Sequence, residues 1–271
     1  MDLHIHTTKS DGELTPEEIV QEAVEARLSM IAITDHDQIA GYHVAKPHAE
    51  KAGIRLIPGI ELNTDGEDGE LHILGYNFDP HAEALDKYIA WRTEDRKQWA
   101  RNIVKKLNEL DYDTAFDACA KRATGGIIVR THIADELVSK GYFPNSKEAY
   151  TSLLQKGGPA FLKRSVFTAE DAINLIHSIG GEAYLAHPGI YPFEMSIEKL
   201  VSYGLDGVEV FHSKHTREQT ASYEKLAEQL NLKISGGSDH HGPNSRNPFP
   251  VGSVRLSDAC ITQWKEEVFR T

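Results

Sequence analysis

Met30-Ile31-Ala32-Ile33-Thr34 is a continuous apolar run of strand length, and Asp35-His36-Asp37 follows it at once. A run without alternation fits a strand buried on both faces, as in a parallel sheet, where functional groups gather at the carboxyl end. The rhythm recurs downstream. Ile54-Arg55-Leu56-Ile57 leads to Pro58-Gly59-Ile60-Glu61, and Ala183-Tyr184-Leu185-Ala186 leads to His187-Pro188-Gly189. Leu71-His72-Ile73-Leu74-Gly75-Tyr76 sets His72 on the face opposite Leu71 and Ile73. Gly207-Val208-Glu209-Val210-Phe211 opens onto His212 and His215, and Leu232-Lys233-Ile234-Ser235 runs on to Ser238-Asp239-His240-His241-Gly242. A last strand is expected over Val251 to Val254. Upstream, Asp2-Leu3-His4-Ile5-His6 reads as a strand whose alternation puts His4 and His6 on one face, about 7 Å apart and able to share a metal.

Helices fall between these runs. Thr15-Pro16-Glu17-Glu18 starts one, with Thr15 as cap, Pro16 in the first turn and Glu18 completing a capping box. Others are expected near residues 39 to 52, 82 to 110, 169 to 178, 216 to 230 and from about Ser257 to Phe269. Between residues 82 and 182 the alternation stops, which reads as a helical insertion over 98–162, capping the active site of a barrel made of 1–97 and 163–271. Seven or eight βα units remain. No G-x-G-x-x-G turn or P-loop follows a strand, so a barrel is preferred to an open sheet.

The chain has 271 residues and a formal net charge of -12, which argues against coating long nucleic acid but not against a small phosphorylated substrate. Its two cysteines, Cys119 and Cys260, stand far apart without a partner motif, so a reducing cytoplasm is the expected home. No signal-like segment or apolar span is expected.

Collected, the polar residues of these strand-end motifs are His4, His6, Asp11, Asp35, His36, Asp37, Glu61, His72, His187, Asp239 and His241. Nitrogen and oxygen donors without sulfur suit Zn²⁺, Mn²⁺ or Fe²⁺. Two or three ions are expected, with Glu61 as a bridging carboxylate and Asp35 and Asp37 orienting histidines. His43, His48, His81 and His177 lack ligand spacing and read as ordinary residues. His212, His215 and His240 read as pocket lining, with His212 facing substrate.

Asp2-Leu3-His4-Ile5-His6-Thr7, Thr34-Asp35-His36-Asp37, Pro58-Gly59-Ile60-Glu61, Ala186-His187-Pro188-Gly189 and Ser238-Asp239-His240-His241-Gly242, in that order, resemble the motifs of the polymerase and histidinol phosphatase (PHP) family of metal-dependent phosphoesterases. The resemblance implies an α/β fold, a distorted (β/α)7 barrel with a helical insertion and a trinuclear centre. By motif, His4, His6, Glu61 and Asp239 would hold one ion. Glu61 would bridge to a second held by His72 and His187, and Asp11, His36 and His241 would hold the third. Aspartate at Asp11 followed by glycine, together with the insertion, resembles the subgroup acting on nucleoside 3′,5′-bisphosphates and RNA 5′ ends.

Arg130-Thr131-His132-Ile133-Ala134 is similar to an Arg-Pro-His-Ile-Ala stretch of that subgroup, with Thr131 in place of proline. It implies that Arg130 and His132 position phosphate and that His132 can donate a proton to the leaving oxygen. Glu61, Asp37 and His132 are the catalytic candidates. Arg101 joins the substrate candidates from the series Arg92, Arg96, Lys97, Arg101, Lys105 and Lys106, most of which reads as a solvated helix face. The implied reaction is hydrolysis of a phosphomonoester of a nucleotide (AMP-like or a bisphosphate) or of a short RNA end, by a water that the metals activate. No membrane and no stable protein partner are expected. The rivals are a histidinol-phosphate-type phosphatase, an amidohydrolase-like enzyme, and a non-catalytic metal-binding module.

Overall fold

The computed structural model describes residues 1–267 apart from 124, 125, 127 and 246. In chain order the principal elements are α1 (Pro16–Glu25), β1 (Met30–Ile33), α2 (Ala40–Ala52), β2 (Arg55–Asn63), β3 (His72–Tyr76), α3 (Glu83–Glu109), α4 (Phe116–Arg122), α5 (Arg130–Ser139) and α6 (Ser146–Ala149). They continue with α7 (Ala169–Ser178), β4 (Glu182–Leu185), α8 (Ile197–Ser202), β5 (Gly207–His212), α9 (Arg217–Leu230), β6 (Lys233–Gly237) and α10 (Asp258–Glu267). Contacts group Met1–Leu85 with Val166–Thr271 as one unit and Asp86–Ser165 as another. The expected end of the last helix at Phe269 lies outside the described residues.

Local sequence sets the helix starts. Thr15, Thr168 and Thr216 each accept the amide three residues on, and Glu18, Asp171 and Gln219 answer with the reciprocal bond, so α1, α7 and α9 all begin with capping boxes. Their apolar sides then pack on the sheet. Ile19, Val20 and Ala23 of α1 and Ala45 and Ala49 of α2 meet Ile31 and Ile33 of β1 and Ile5.

The first unit is built on a six-stranded sheet in the order β1-β2-β3-β4-β5-β6. β1–β2, β4–β5 and β5–β6 pair in parallel, whereas β3 runs antiparallel to both its neighbours. A uniformly parallel strand-helix alternation therefore fails at one place, and the reason is loop length. The polar stretch between Asn63 and His72 is too short for a helical crossover, so the chain turns back on itself. Reversal carries His72, the first residue of β3, to the rim where the parallel strands end, opposite Asn63.

Residues 2–6 close the sheet. Asp2 bridges to Ile31 of β1 and Ile5 to His240 just past β6, both in parallel. Thr34 N–H donates to the Ile5 carbonyl at 2.8 Å on one side, and Asp239 N–H donates to the His4 carbonyl at 2.9 Å on the other. Both free edges are thereby paired, although the segment forms bridges and not the continuous strand expected. Val251–Val254 is also not a strand. Gly252 takes a left-handed φ of 77° and turns the chain, while Val251 is buried against the α1–α2 layer.

Gly237 permits this closure. A Cβ there would meet the His4 amide nitrogen at 2.4 Å and the His4 Cβ at 2.6 Å, contacts that backbone cannot relieve by a rotamer change. Gly237→Ala is expected to cost about 3 kcal/mol through overpacking. A denaturant titration checks this, and an unchanged midpoint would contradict the close approach.

The second unit is helical. Trp99, Ile103 and Leu107 of α3 pack with Cys119, Ile133, Leu137, Leu153 and Leu154 into a separate core. Its limits of 86 and 165 lie outside the expected 98 and 162. The basic series on α3 is split. Arg101 and Lys105 are exposed, but Arg92 and Arg96 are 0% and 2% exposed, so these two do not belong to a solvated face. Arg92 lies over the Trp91 ring and 3.5 Å from Asp95, which shows how a long charged side chain can be accommodated inside.

Candidate metal centre

Every strand-end donor expected from sequence reaches one region of the first unit. His36 follows β1, Glu61 lies near the end of β2, His72 opens β3, His187 follows β4, and Asp239 and His241 follow β6. His4 and His6 arrive from the closing segment. Burial is nearly complete, with His4 and His6 at 0%, Glu61 at 1% and His36, His187 and His241 at 4% exposure. Three of the residues that shape this rim, Asp37, His187 and Asp239, hold positive φ values of 49°, 31° and 52°. Left-handed backbone at non-glycine residues is costly, and its clustering at a polar rim is a mark of a functional site.

Glu61 is the hub. Its Oε2 lies 3.4 Å from His4 Nε2, 3.1 Å from His6 Nε2 and 3.0 Å from His36 Nδ1. Its Oε1 lies 2.8 Å from His72 Nδ1 and 3.1 Å from His187 Nε2. Five imidazoles thus converge on one buried carboxylate. Burial alone would raise its pKa, but His36, His72, His4 and His187 hold it well below the usual carboxylate range. Asp239 is likewise held low, burial being overcome by His4, His241, His212 and His6.

The donor spacing fits a metal ion. His4 Nε2 and His6 Nε2 are 3.2 Å apart, and each is 3.3 Å from Asp239 Oδ1. With the Glu61 distances, these make five edges of a small tetrahedron. Bonds of about 2.0 Å to a central zinc-like ion give edges of roughly 3.3 Å. A second set, His6, Asp11, His36 and His241, surrounds Asp11 Oδ1, with His241 Nε2 at 3.3 Å and His6 Nδ1 at 3.8 Å. A third contains His36, Glu61 and His72. Among the carboxylates, Asp239 and Glu61 hydrogen-bond His6 strongly enough to overcome its burial and lift its pKa to about 10. Groups that draw a proton onto His6 would also draw a cation into this space.

Surrounding groups fix which nitrogen each ring offers. Glu209 Oε1 takes the His4 Nδ1 hydrogen at 2.9 Å, leaving Nε2 bare toward the centre, and its other oxygen accepts the His187 amide at 2.7 Å. The Asp239 carbonyl takes the His241 Nδ1 hydrogen at 2.9 Å, again leaving Nε2. Asn63 Nδ2 lies 3.0 Å from His36 Nδ1 and 3.2 Å from Asp37 Oδ2. Asp37 therefore acts on His36 through Asn63. Asp35 accepts Thr7 and Ser10, fixing the loop after His6.

A cavity of about 200 Å³ opens on this array, lined by His36, Glu61, His72, His187, Asp239 and His241, with Tyr191, Lys214 and Asn247. The last three and Glu209 were not anticipated. Glu209 had a readable signal, a lone carboxylate inside Val208-Glu209-Val210; Lys214 and Tyr191 had none. Tyr191 accepts the His72 amide at 2.9 Å, so its own hydrogen can be donated elsewhere. His212 is set behind Asp239, with Nε2 at 3.2 Å from Oδ2, and not among the cavity's lining.

The remaining candidates belong to the helical unit. Arg130 lies over the Trp99 and Phe161 rings at 5.3 and 4.9 Å, and His132 Nδ1 accepts the Val129 amide at 3.3 Å. Arg101 rests on Phe116 at 4.5 Å and pairs with Glu94 at 3.4 Å.

A PHP domain model matches residues 2–157. The chain belongs to the PHP family. It is 36% identical over 249 residues to the 5′-3′ exoribonuclease Rnm of Salmonella typhimurium, covering 89% of this chain and 85% of that protein. It is 30% identical to the 3′,5′-nucleoside bisphosphate phosphatase of Chromobacterium violaceum, covering 98% and 95% of the two chains. Among solved structures, an amidohydrolase from Chromobacterium violaceum with bound sulfate superimposes with a TM-score of 0.87 at 30% identity, over 99% of this chain and 96% of that one. This PHP chain is thus an α/β protein with the family's fold, and a phosphoesterase.

Proposed function

We propose that the chain is a metal-dependent phosphoesterase that hydrolyses a terminal phosphomonoester of a nucleotide, a nucleoside 3′,5′-bisphosphate or an RNA 5′ end. The observation that carries this reading is the convergence of five imidazoles on Glu61, with donor spacings that fit a metal ion. The three ion assignments implied by motif resemblance stand as proposals: His4, His6, Glu61 and Asp239; Glu61, His72 and His187; Asp11, His36 and His241. Divalent manganese, iron or zinc held there would supply Lewis-acid stabilisation of phosphoryl charge and acidify water.

The chain's own groups then have distinct tasks. Glu209 and the Asp239 carbonyl hold the His4 and His241 rings in one tautomer, so their Nε2 atoms keep fixed positions. Lys214 places an ammonium at the cavity, where it can neutralise phosphate charge beside Glu61 and Asp239. Tyr191 offers a hydroxyl hydrogen to a phosphoryl oxygen. A cytoplasmic location is part of this reading, supported by two buried free thiols, Cys119 and Cys260. Among the described residues no helix is long and apolar enough to cross a membrane.

Phosphate contacts are also assigned to Arg130 and His132, on the likeness of their segment to that of the bisphosphate-hydrolysing subgroup. With Nδ1 accepting the Val129 amide, His132 keeps an N–H on Nε2, which can donate a hydrogen bond to a phosphoryl or leaving oxygen. Arg130→Lys is expected to lower kcat/KM for a nucleoside 3′,5′-bisphosphate by about tenfold or more, because an ammonium cannot copy a bidentate guanidinium. Metal content should not change. Unaltered kcat/KM would remove Arg130 from the substrate site and leave it to its aromatic stack.

The test of the reaction class is a release assay with added Mn²⁺ over histidinol phosphate, a nucleoside 3′,5′-bisphosphate and a 5′-phosphorylated oligoribonucleotide, with ammonia followed in parallel on amide substrates. Release of inorganic phosphate supports the proposal. Ammonia release alone would favour the amidohydrolase reading that the name of the sulfate-bound neighbour suggests.

A further inference from the structure

A second cavity, of about 550 Å³, lies in the same unit and is lined by other residues of the loops that line the metal-centre cavity. Two loops line both. The loop after β5 gives Lys214 to the first and Ser213 and His215 to the second, and the loop after β6 gives Asn247 to the first and Phe249 to the second. The partition is thin. His212 lines the second cavity while its Nε2 lies 3.2 Å from Asp239, which lines the first. His240, between Asp239 and His241, reaches the Phe249 carbonyl through Nδ1 at 2.7 Å.

The second cavity has a different chemical character. Arg217, at the start of α9, and Arg255 both line it, against one carboxylate, Glu224. Among the described residues neither guanidinium has an ion-pair partner. In a chain of net charge -12, two cations without carboxylate partners on one open groove make a local site for anions. Phe249 is half-buried at its edge, and an aromatic ring beside cations is the usual platform for an unpaired base.

We propose that this groove binds the single-stranded nucleotide chain that follows the terminal nucleotide held at the metal centre. Arg217 and Arg255 take backbone phosphates, and Phe249 stacks a base. The inference rests on the phosphoesterase reading and narrows it, since a mononucleotide ends before the groove while an oligonucleotide continues into it.

The test compares wild type with an Arg217→Ala/Arg255→Ala variant on a 5′-phosphorylated oligoribonucleotide and on a nucleoside 3′,5′-bisphosphate. The oligonucleotide KM should rise about tenfold, equivalent to about 1.4 kcal/mol, and the slope of log KM against log salt should fall by about 1.4 for two lost phosphate contacts. Values for the bisphosphate should stay unchanged. Fluorescence polarisation of a labelled oligoribonucleotide on metal-depleted protein reads the groove without turnover. Wild type that binds the oligonucleotide more tightly than the variant but hydrolyses neither substrate defeats the phosphoesterase reading and supports the groove. Equal binding by the two proteins, or equal losses on both substrates, overturns it. Both arginines are exposed, so a melting curve matching wild type is expected of the variant.

Discussion

Glu61→Gln lowers turnover by about a hundredfold or more, a loss of about 2.7 kcal/mol in transition-state stabilisation, while secondary structure stays that of the wild type. The size follows from position. Five imidazoles face the two oxygens of this carboxylate, so the amide removes the one negative charge common to all of them and replaces an acceptor with a donor on one side. Folding is spared because Glu61 contributes its backbone to β2 regardless of its side chain, pairing with Leu74 of β3. Steady-state kinetics with circular dichroism reads both. Near-normal turnover would show that Glu61 bridges nothing.

The wild-type chain is expected to bind two or three divalent ions, and chelation to abolish activity. A single ion uses about four to six donors. The potential donor sets overlap, His6 falling in two of them and His36 in two. If each imidazole serves one ion, His4 and His6 go with Asp239, His36 and His241 with Asp11, and His72 and His187 with Glu61, so more than one ion is needed to use the array. Elemental analysis after loading measures this, and a plateau at one ion would leave most of the histidines without a role.

Much of this centre is legible in the chain because parallel strands are short apolar runs that end where their functional groups begin. Asp35-His36-Asp37, Glu61, His187 and Asp239 all follow that pattern. His72 is brought to the same rim by the reversal of β3, a consequence of a short loop and not of its own neighbours. Glu209 is readable as a lone carboxylate inside Val208-Glu209-Val210, but its role is not, because the ring it orients, His4, is 205 residues away. Asn63 and Asn247 are equally silent, since an amide is recognised as an orienting group only when the ring or carboxylate it touches is known. Arg92 and Arg96 read as a solvated face, yet they are among the largest fully buried side chains, Arg92 lying over the Trp91 ring and Arg96 reaching the Ile128 carbonyl. The turn at Val251–Val254 was disguised by two valines, while Gly252 between them governs the backbone.

The most direct test is a titration of metal-depleted protein with Mn²⁺ while inorganic phosphate released from a nucleoside 3′,5′-bisphosphate is measured. Activity should be absent without metal and should climb until more than one equivalent is bound, with Glu61→Gln remaining low throughout. Full phosphate release in the presence of excess chelator, or none at any metal loading with any phosphorylated substrate, would contradict a metal-dependent phosphoesterase.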